Sequence, residues 1–288
     1  QFVIEKDVKS FEGYDYYQLT FEASVSAFGY ATYLLTYDNT GVLGKTFPGD
    51  PRVEKVDDLS FENKYLKGYF TQHGQIAYLE NKLTGEVLVK EADGGFKYIL
   101  EDPSKGMSAW VVGNYLSVRD FDDVRLKRIS RNVLRTVFEF EMKVSGSVMK
   151  VKISIDACSP YLEYDINCNW TEIGTQEKGW PQLQYVLNHA YETSEYIYEI
   201  PFGVLERKAA DQDLPAVSFA VAGNNGGSSL MLMTDTKSGF RGYNDKLSVT
   251  LLRSSTDPDP YPEVGIHDMK FAVCIIDEAS AEKLMKAL

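Results

Sequence analysis

The densest set of chemically capable side chains in this 288-residue sequence runs from Leu251 to His267, LLRSSTDPDPYPEVGIH. Arg253 ends an apolar run and offers a planar fork of donors. Asp257 and Asp259, each followed by proline, offer acceptors, and Glu263 and His267 close the segment. Donors and acceptors interleaved on one loop are what the hydroxyls of a polyol require. The competing reading is structural, because Asp-Pro units initiate turns and an internal ion pair would hold Arg253 and its loop in place.

Elsewhere reactive groups are sparse. His73, His189 and His267 are isolated, with no HxH or HExxH spacing, so no metal site is expected from this chain alone. Cys158, Cys168 and Cys274 form an odd set without a CxxC unit. That argues against a disulfide framework and for reduced thiols in a cytoplasmic protein. No GxSxG element supplies a nucleophile. Trp110, Trp170 and Trp180 are read first as core, since a tryptophan buries a large area wherever it packs.

The charge balance of 30 Lys+Arg against 42 Asp+Glu leaves a net charge of −12. With no basic run, neither nucleic acid nor an anionic membrane surface is an expected partner. The longest apolar run, Ala216 to Gly223, is far short of the roughly 20 residues that span a bilayer. A sequence opening on Gln1 inside an ordinary segment is expected to be a piece of a longer polypeptide.

The elements that must position these side chains are read from period-2 alternation. Phe138, Phe140, Met142 and Val144 alternate with charged residues. After Ser145-Gly146-Ser147 the pattern resumes at Val151, Ile153 and Ile155, and again at Leu162, Tyr164, Ile166, Cys168 and Trp170. Three antiparallel strands with one wet face follow. Leu19, Phe21, Ala23 and Val25 predict a strand near the start, and Ser229 to Met233 and Leu247 to Leu252 read as buried strands. Asn224-Asn225-Gly226-Gly227 reads as a hairpin tip. The segment Asp277 to Leu288 is the one helix candidate. Asn39 to Leu59, rich in Gly and Pro, is the best linker. The reading is therefore all-β: a short β segment over 1–40, then one large antiparallel β-sandwich over 55–288 with a C-terminal helix.

Several blocks, in this order, resemble the C-terminal half of glycoside hydrolase family 38 α-mannosidases. They are Tyr198-Glu199-Ile200-Pro201-Phe202-Gly203-Val204, Met233-Thr234-Asp235-Thr236-Lys237-Ser238-Gly239-Phe240-Arg241, and Leu251-Leu252-Arg253-Ser254 with Asp257-Pro258-Asp259-Pro260 and Gly265-Ile266-His267. Upstream, Phe61-Glu62-Asn63, Asn81-Lys82-Leu83-Thr84-Gly85 and Ala27-Phe28-Gly29-Tyr30 fit the same family, so the resemblance runs from about Ala27 to about Ala272. It implies a galactose-mutarotase-like supersandwich that packs on an upstream barrel, which holds the aspartate nucleophile and a zinc ion. The zinc belongs to that missing domain, and this segment is expected to hold no catalytic residue and no cofactor. The resemblance further implies that Arg253 approaches an α-linked mannose or oligosaccharide and, loosely, that Trp110 lies at the substrate; Asp257 and Asp259 join them as substrate-binding candidates on the loop chemistry above. His267 is taken as a hydrogen-bonding residue that pins the loop. A stand-alone carbohydrate-binding module and a mutarotase-like sugar epimerase are the alternatives; the latter would set His189 or His267 against Glu263 across a sugar pocket.

Overall fold

The computed structural model describes residues 2–11, 14–26, 28–34, 58–121, 123–193, 195–259, 263–277 and 284. In chain order the strands are β1 (Phe2–Phe11), β2 (Tyr14–Phe21), β3 (Ser60–Glu62), β4 (Leu66–Phe70), β5 (Ile76–Asn81), β6 (Glu86–Val89), β7 (Gly95–Glu101), β8 (Tyr115–Asp120), β9 (Asp123–Arg131), β10 (Arg135–Val144) and β11 (Ser147–Asp156). They continue as β12 (Tyr161–Trp170), β13 (Trp180–Asn188), β14 (Glu195–Ile200), β15 (Gly203–Lys208), β16 (Leu214–Pro215), β17 (Phe219–Ala222), β18 (Ser229–Thr234), β19 (Gly239–Tyr243), β20 (Lys246–Arg253) and β21 (Gly265–Ile276).

Three sheets build an all-β antiparallel sandwich. A nine-stranded sheet, β15-β14-β17-β18-β21-β12-β11-β10-β9, forms one layer. Facing it are a six-stranded sheet, β16-β19-β20-β13-β7-β8, and a four-stranded meander, β3-β4-β5-β6. The alternation in β10, β11 and β12 puts Phe138, Phe140, Val151, Ile153, Tyr164 and Ile166 in the core, leaving rungs such as Glu139–Lys152–Asp165 on the solvent side. Opposite charges side by side on such a rung add modestly to pairing.

Aromatic rings join the layers. Tyr164 of β12 stacks on Phe271 of β21 at 4.4 Å, and Phe96 of β7 meets Tyr185 of β13 edge-on at 5.2 Å. Tyr164 and Tyr185 hydrogen-bond hydroxyl to hydroxyl at 2.9 Å across the two sheets, so two buried polar groups satisfy each other. Phe70 of the meander packs against Phe138 at 5.1 Å. Gly68 is required by this packing, because a Cβ there would lie 2.4 Å from the Tyr78 carbonyl and 2.6 Å from the Phe61 ring.

Among the described residues β1 and β2 pair only with each other. The alternation from Leu19 to Val25 is strand only as far as Phe21, and Leu19, Phe21 and Val25 are exposed. Leu19 and Phe21 stay about two-fifths exposed even with the Tyr33 ring 4.8 Å from Phe21, so the pattern does not mark a core. The linker expected at Asn39 to Leu59 lies outside the described residues except for its last two. Of the helix expected at Asp277 to Leu288, only Asp277 and Leu284 are described; Leu284 is helical and packs against Ile197, Phe219 and Val221.

Candidate functional site

One end of the six-stranded sheet carries the loops singled out by sequence. Arg253 is the last residue of β20, whose apolar residues Leu247, Val249 and Leu252 face the core and so turn Arg253 to the opposite face, beside Gln182 of β13. One strand further on, Glu101 ends β7 with its carboxylate fully buried at 0% exposure. Arg253 meets it in a two-pronged ion pair, Nε to Oε1 at 2.5 Å and Nη2 to Oε2 at 2.8 Å. Its Nη1 also donates to the Ser108 carbonyl and its Nη2 to the Val111 carbonyl at 2.8 Å. Four of the five guanidinium N–H groups are thus engaged within the chain.

Glu101 is held from its other side as well. Oε1 accepts from the Gln182 amide at 2.5 Å and Oε2 from the Gly113 backbone N–H at 2.7 Å. Gln184 Nε2 reaches the Gln182 side-chain Oε1 at 3.2 Å, the Tyr115 hydroxyl at 2.5 Å and Thr250 Oγ1 at 3.0 Å. Tyr115 and Thr250 donate to Asp213, which takes Arg241 Nε at 2.8 Å. Arg241 lies 3.7 Å over the Tyr115 ring, and burial followed by the Asp213 charge pushes the Tyr115 hydroxyl far above the usual phenol range. The outer face of this sheet is therefore a closed polar network running from Arg253 to Arg241.

That network fastens the loop between β7 and β8. Asp102 caps the single 3-10 turn Pro103–Lys105 by accepting the Ser104 N–H at 2.8 Å. Asp257 is exposed, and its Oδ2 accepts the Met107 N–H at 2.8 Å. Its carbonyl accepts the Ala109 N–H at 2.6 Å, while its own N–H donates to Ser108 Oγ. Both faces of the 107–111 segment are thus pinned, and the segment carries Trp110 outward, 72% exposed. Trp170 and Trp180 are buried, the former donating to Ser254 Oγ at 2.7 Å. Gly179, at φ +96°, lets the 171–179 loop rest on the end of β7, since a Cβ there would lie 2.4 Å from the Glu101 carbonyl.

The structure thus gathers Arg253, Asp257 and Trp110 at one rim, with exposed Asp259 two residues beyond Asp257. His267 lies on β21 opposite Cys168, with Nε2 3.0 Å from the Glu263 carbonyl. Glu263 lies four residues before His267, with its carboxylate 4.0 Å from the His267 Nδ1, so the two are chain neighbours and do not face each other across a cavity. His189 is buried elsewhere, its Nδ1 at 2.7 Å from the Tyr191 carbonyl, and burial lowers its pKa. Among the described residues no group of three His, Cys, Asp or Glu side chains could hold a metal ion, and no helix is long and apolar enough to cross a membrane. Sequence reasoning missed Glu101, Gln182, Gln184, Tyr115, Asp213 and Arg241. The alternation of Gln182 and Gln184 with Leu183 and Tyr185 signals the strand but not the buried polar face that it carries.

Architecture and rim together define an antiparallel β-sandwich with one loop-built end locked by a buried ion pair. Residues 61–261 match the family described as Glycosyl hydrolases family 38 C-terminal domain, and the chain belongs to that family. It is similar to an α-mannosidase from Enterococcus faecalis V583, with TM-score 0.62 and 11% identity over 80% of this chain and 30% of that one. It also resembles a protein of glycosyl hydrolase family 38 from Enterococcus faecalis, with TM-score 0.64 and 11% identity over 81% and 32%. At that identity the likeness shows a shared fold. The chain spans less than a third of the length of either. No curated protein matches its sequence.

Proposed function

We propose that this chain is the β-sandwich portion of an α-mannoside hydrolase, which docks its loop end on a zinc-dependent catalytic barrel and lends that barrel part of the active-site rim. The carrying observation is the loop-end surface. Met107, Trp110, Val111, Leu116 and Val118 all expose large apolar side chains on one loop and the edge strand after it. A cluster of that kind beside a rigid polar rim marks an interaction surface. Arg253 and Asp257 hold that surface in shape, and the outward part of the Asp257–Asp259 turn offers oxygen acceptors to sugar hydroxyls.

Among the described residues no cluster of His, Cys, Asp or Glu fits a zinc ion, and this reading assigns the metal and the nucleophile to the barrel. What this chain supplies is position: a preorganised wall that excludes water and orients a glycan. The test uses the intact polypeptide with an aryl α-mannoside. Trp110→Asp is expected to lower kcat/KM about tenfold or more while leaving the fold of the sandwich intact. Unchanged kcat/KM with an unchanged barrel-to-sandwich association would overturn the reading. The 288-residue chain alone is expected to leave the same substrate intact.

A further inference from the structure

A second surface with the chemistry of a ligand site lies on a different sheet. The four-stranded meander buries Phe61, Leu66, Phe70 and Leu79 on its inner face. On its outer face Tyr69 of β4 sits directly opposite Tyr78 of β5, with ring centroids 5.8 Å apart and planes only 8° from parallel. Ser60 of β3 continues that rung, and Glu62, Lys67 and Glu80 form the next. Ser60, Glu62, Lys67, Tyr69, Tyr78 and Arg131 line a shallow groove of about 560 Å³. Tyr69 is 49% exposed, a large fraction for a ring of that size at the centre of a sheet.

The parts are fixed before any ligand arrives. The Tyr78 hydroxyl donates to Glu80 Oε2 at 2.6 Å, and Lys82 pairs with Glu62 at 2.7 Å. Arg131 donates to the Asp58 and Ser60 carbonyls at 2.8 Å each, tying the edge strand to the nine-stranded sheet. Rigid aromatic rings supply contact area at low entropic cost. Around them Glu62 pairs with Lys82, Arg131 lies 3.7 Å from Asp58, and Lys67 sits opposite Glu80 in the ladder, so the charges in and around the groove balance and favour neither an anion nor a cation. An occupant with an apolar face for the rings and a rim of groups that both donate and accept is what this surface complements. A pyranose has that form.

We propose that the outer face of the meander binds a neutral oligosaccharide, with Tyr69 and Tyr78 as the platform and Ser60, Glu62 and Lys67 as hydroxyl partners. The site is independent of the Arg253 rim and does not rest on the reading given for it. Calorimetric titration of the 288-residue chain with α-mannotetraose and with cellotetraose tests it. Saturable binding of at least one probe is expected, weakened about three- to tenfold by Tyr69→Thr and within about twofold of the parent in Tyr69→Phe. Trp110→Ala is expected to leave that binding unchanged. If Tyr69→Thr does not fold, the parent chain still decides: the bound probe should protect Tyr69 from nitration by tetranitromethane. No saturable binding, equal binding by a folded Tyr69→Thr chain, binding abolished by Trp110→Ala, or no protection would each show that the tyrosines serve only as a cross-strand pair.

Discussion

Replacing Arg253 with alanine tests whether the buried ion pair holds the loop end together. The substitution removes two charge-assisted bonds to Glu101 and the bonds to the Ser108 and Val111 carbonyls. Glu101 has no exposure, and within the protein its carboxylate would keep only the Gln182 amide and the Gly113 N–H. Deleting one member of a buried pair costs about 3–5 kcal/mol, mostly through the charge left behind. At about 2–4 °C per kcal/mol for a chain of this size class, Tm should fall by about 6–20 °C. Urea unfolding followed by circular dichroism measures the same loss as a lower midpoint at constant slope. The double variant Glu101→Leu with Arg253→Met, which removes both charges, should recover much of it, giving a strong positive coupling in the cycle. An Arg253→Ala chain within about 0.5 kcal/mol of the parent would refute the reasoning. The consequence reaches the activity assay too. A loss of kcat/KM in Arg253→Ala reports a sugar contact only once the same loss appears in a variant whose midpoint is unchanged.

Other consequences are directly measurable. Burial lowers the pKa of His189, with the Tyr191 carbonyl and Asp245 opposing it more weakly. The unfolded state therefore takes up its proton first as pH falls through the ordinary value of about 6.5, and native stability should drop between pH 7 and 5.5. His189→Gln should flatten that drop; an identical slope in both chains would count against it. Burial pushes the Cys168 and Cys274 thiols up to about 12, whereas Cys158 is exposed. Ellman's reagent at pH 8 should titrate one thiol in the native chain and all three in urea, and rapid native reaction of three thiols would show the core to be open. Gly68→Ala should destabilise the meander by about 1–3 kcal/mol, read from the urea midpoint, because its Cβ meets the Tyr78 carbonyl and the buried Phe61 ring, neither of which can swing aside.

How much of this was legible depends on which surface covers each strand. β10, β11 and β12 are plain in the sequence because one face is core and the other is water, so apolar and charged residues alternate without exception over most of their length. Hairpin tips at Ser145-Gly146 and Asn224 to Gly227 are equally plain, since small and glycine-rich runs interrupt the alternation there; the positive φ falls on Ser145 in the first and on Gly226 in the second. The same alternation misleads at β13. Gln182 and Gln184 read as a solvated face, yet both are buried, because loops from distant parts of the chain roof that face with Tyr115, Asp213 and Arg241. Long-range hydrogen bonds of this kind leave no periodic trace. Glu101 is hidden for the same reason: nothing in its neighbours distinguishes a carboxylate that will be paired across 152 residues from one that will meet water.

The roofed network also explains why the rim residues found by sequence are not equivalent. Arg253 and Asp257 point partly inward, where they bind the 107–111 segment and spend much of their hydrogen-bonding capacity on it. Trp110 points outward, and its backbone N–H is held by the Met107 carbonyl at 2.9 Å, so the ring is displayed from a segment fixed on both sides. Ordering the loop in advance means that association does not have to supply that entropy, which for a segment of several residues is comparable with a modest binding energy. Loosening the clamp should therefore weaken docking without touching the docking residue. Asp257→Ala is the variant that separates these effects, because Asp257 is exposed and its loss leaves no buried charge. The sandwich should keep its unfolding midpoint to within about 0.5 kcal/mol while the 107–111 segment becomes cleavable by chymotrypsin at Trp110. Cleavage no faster than in the parent chain would show that Ser108 and Arg253 hold the segment unaided.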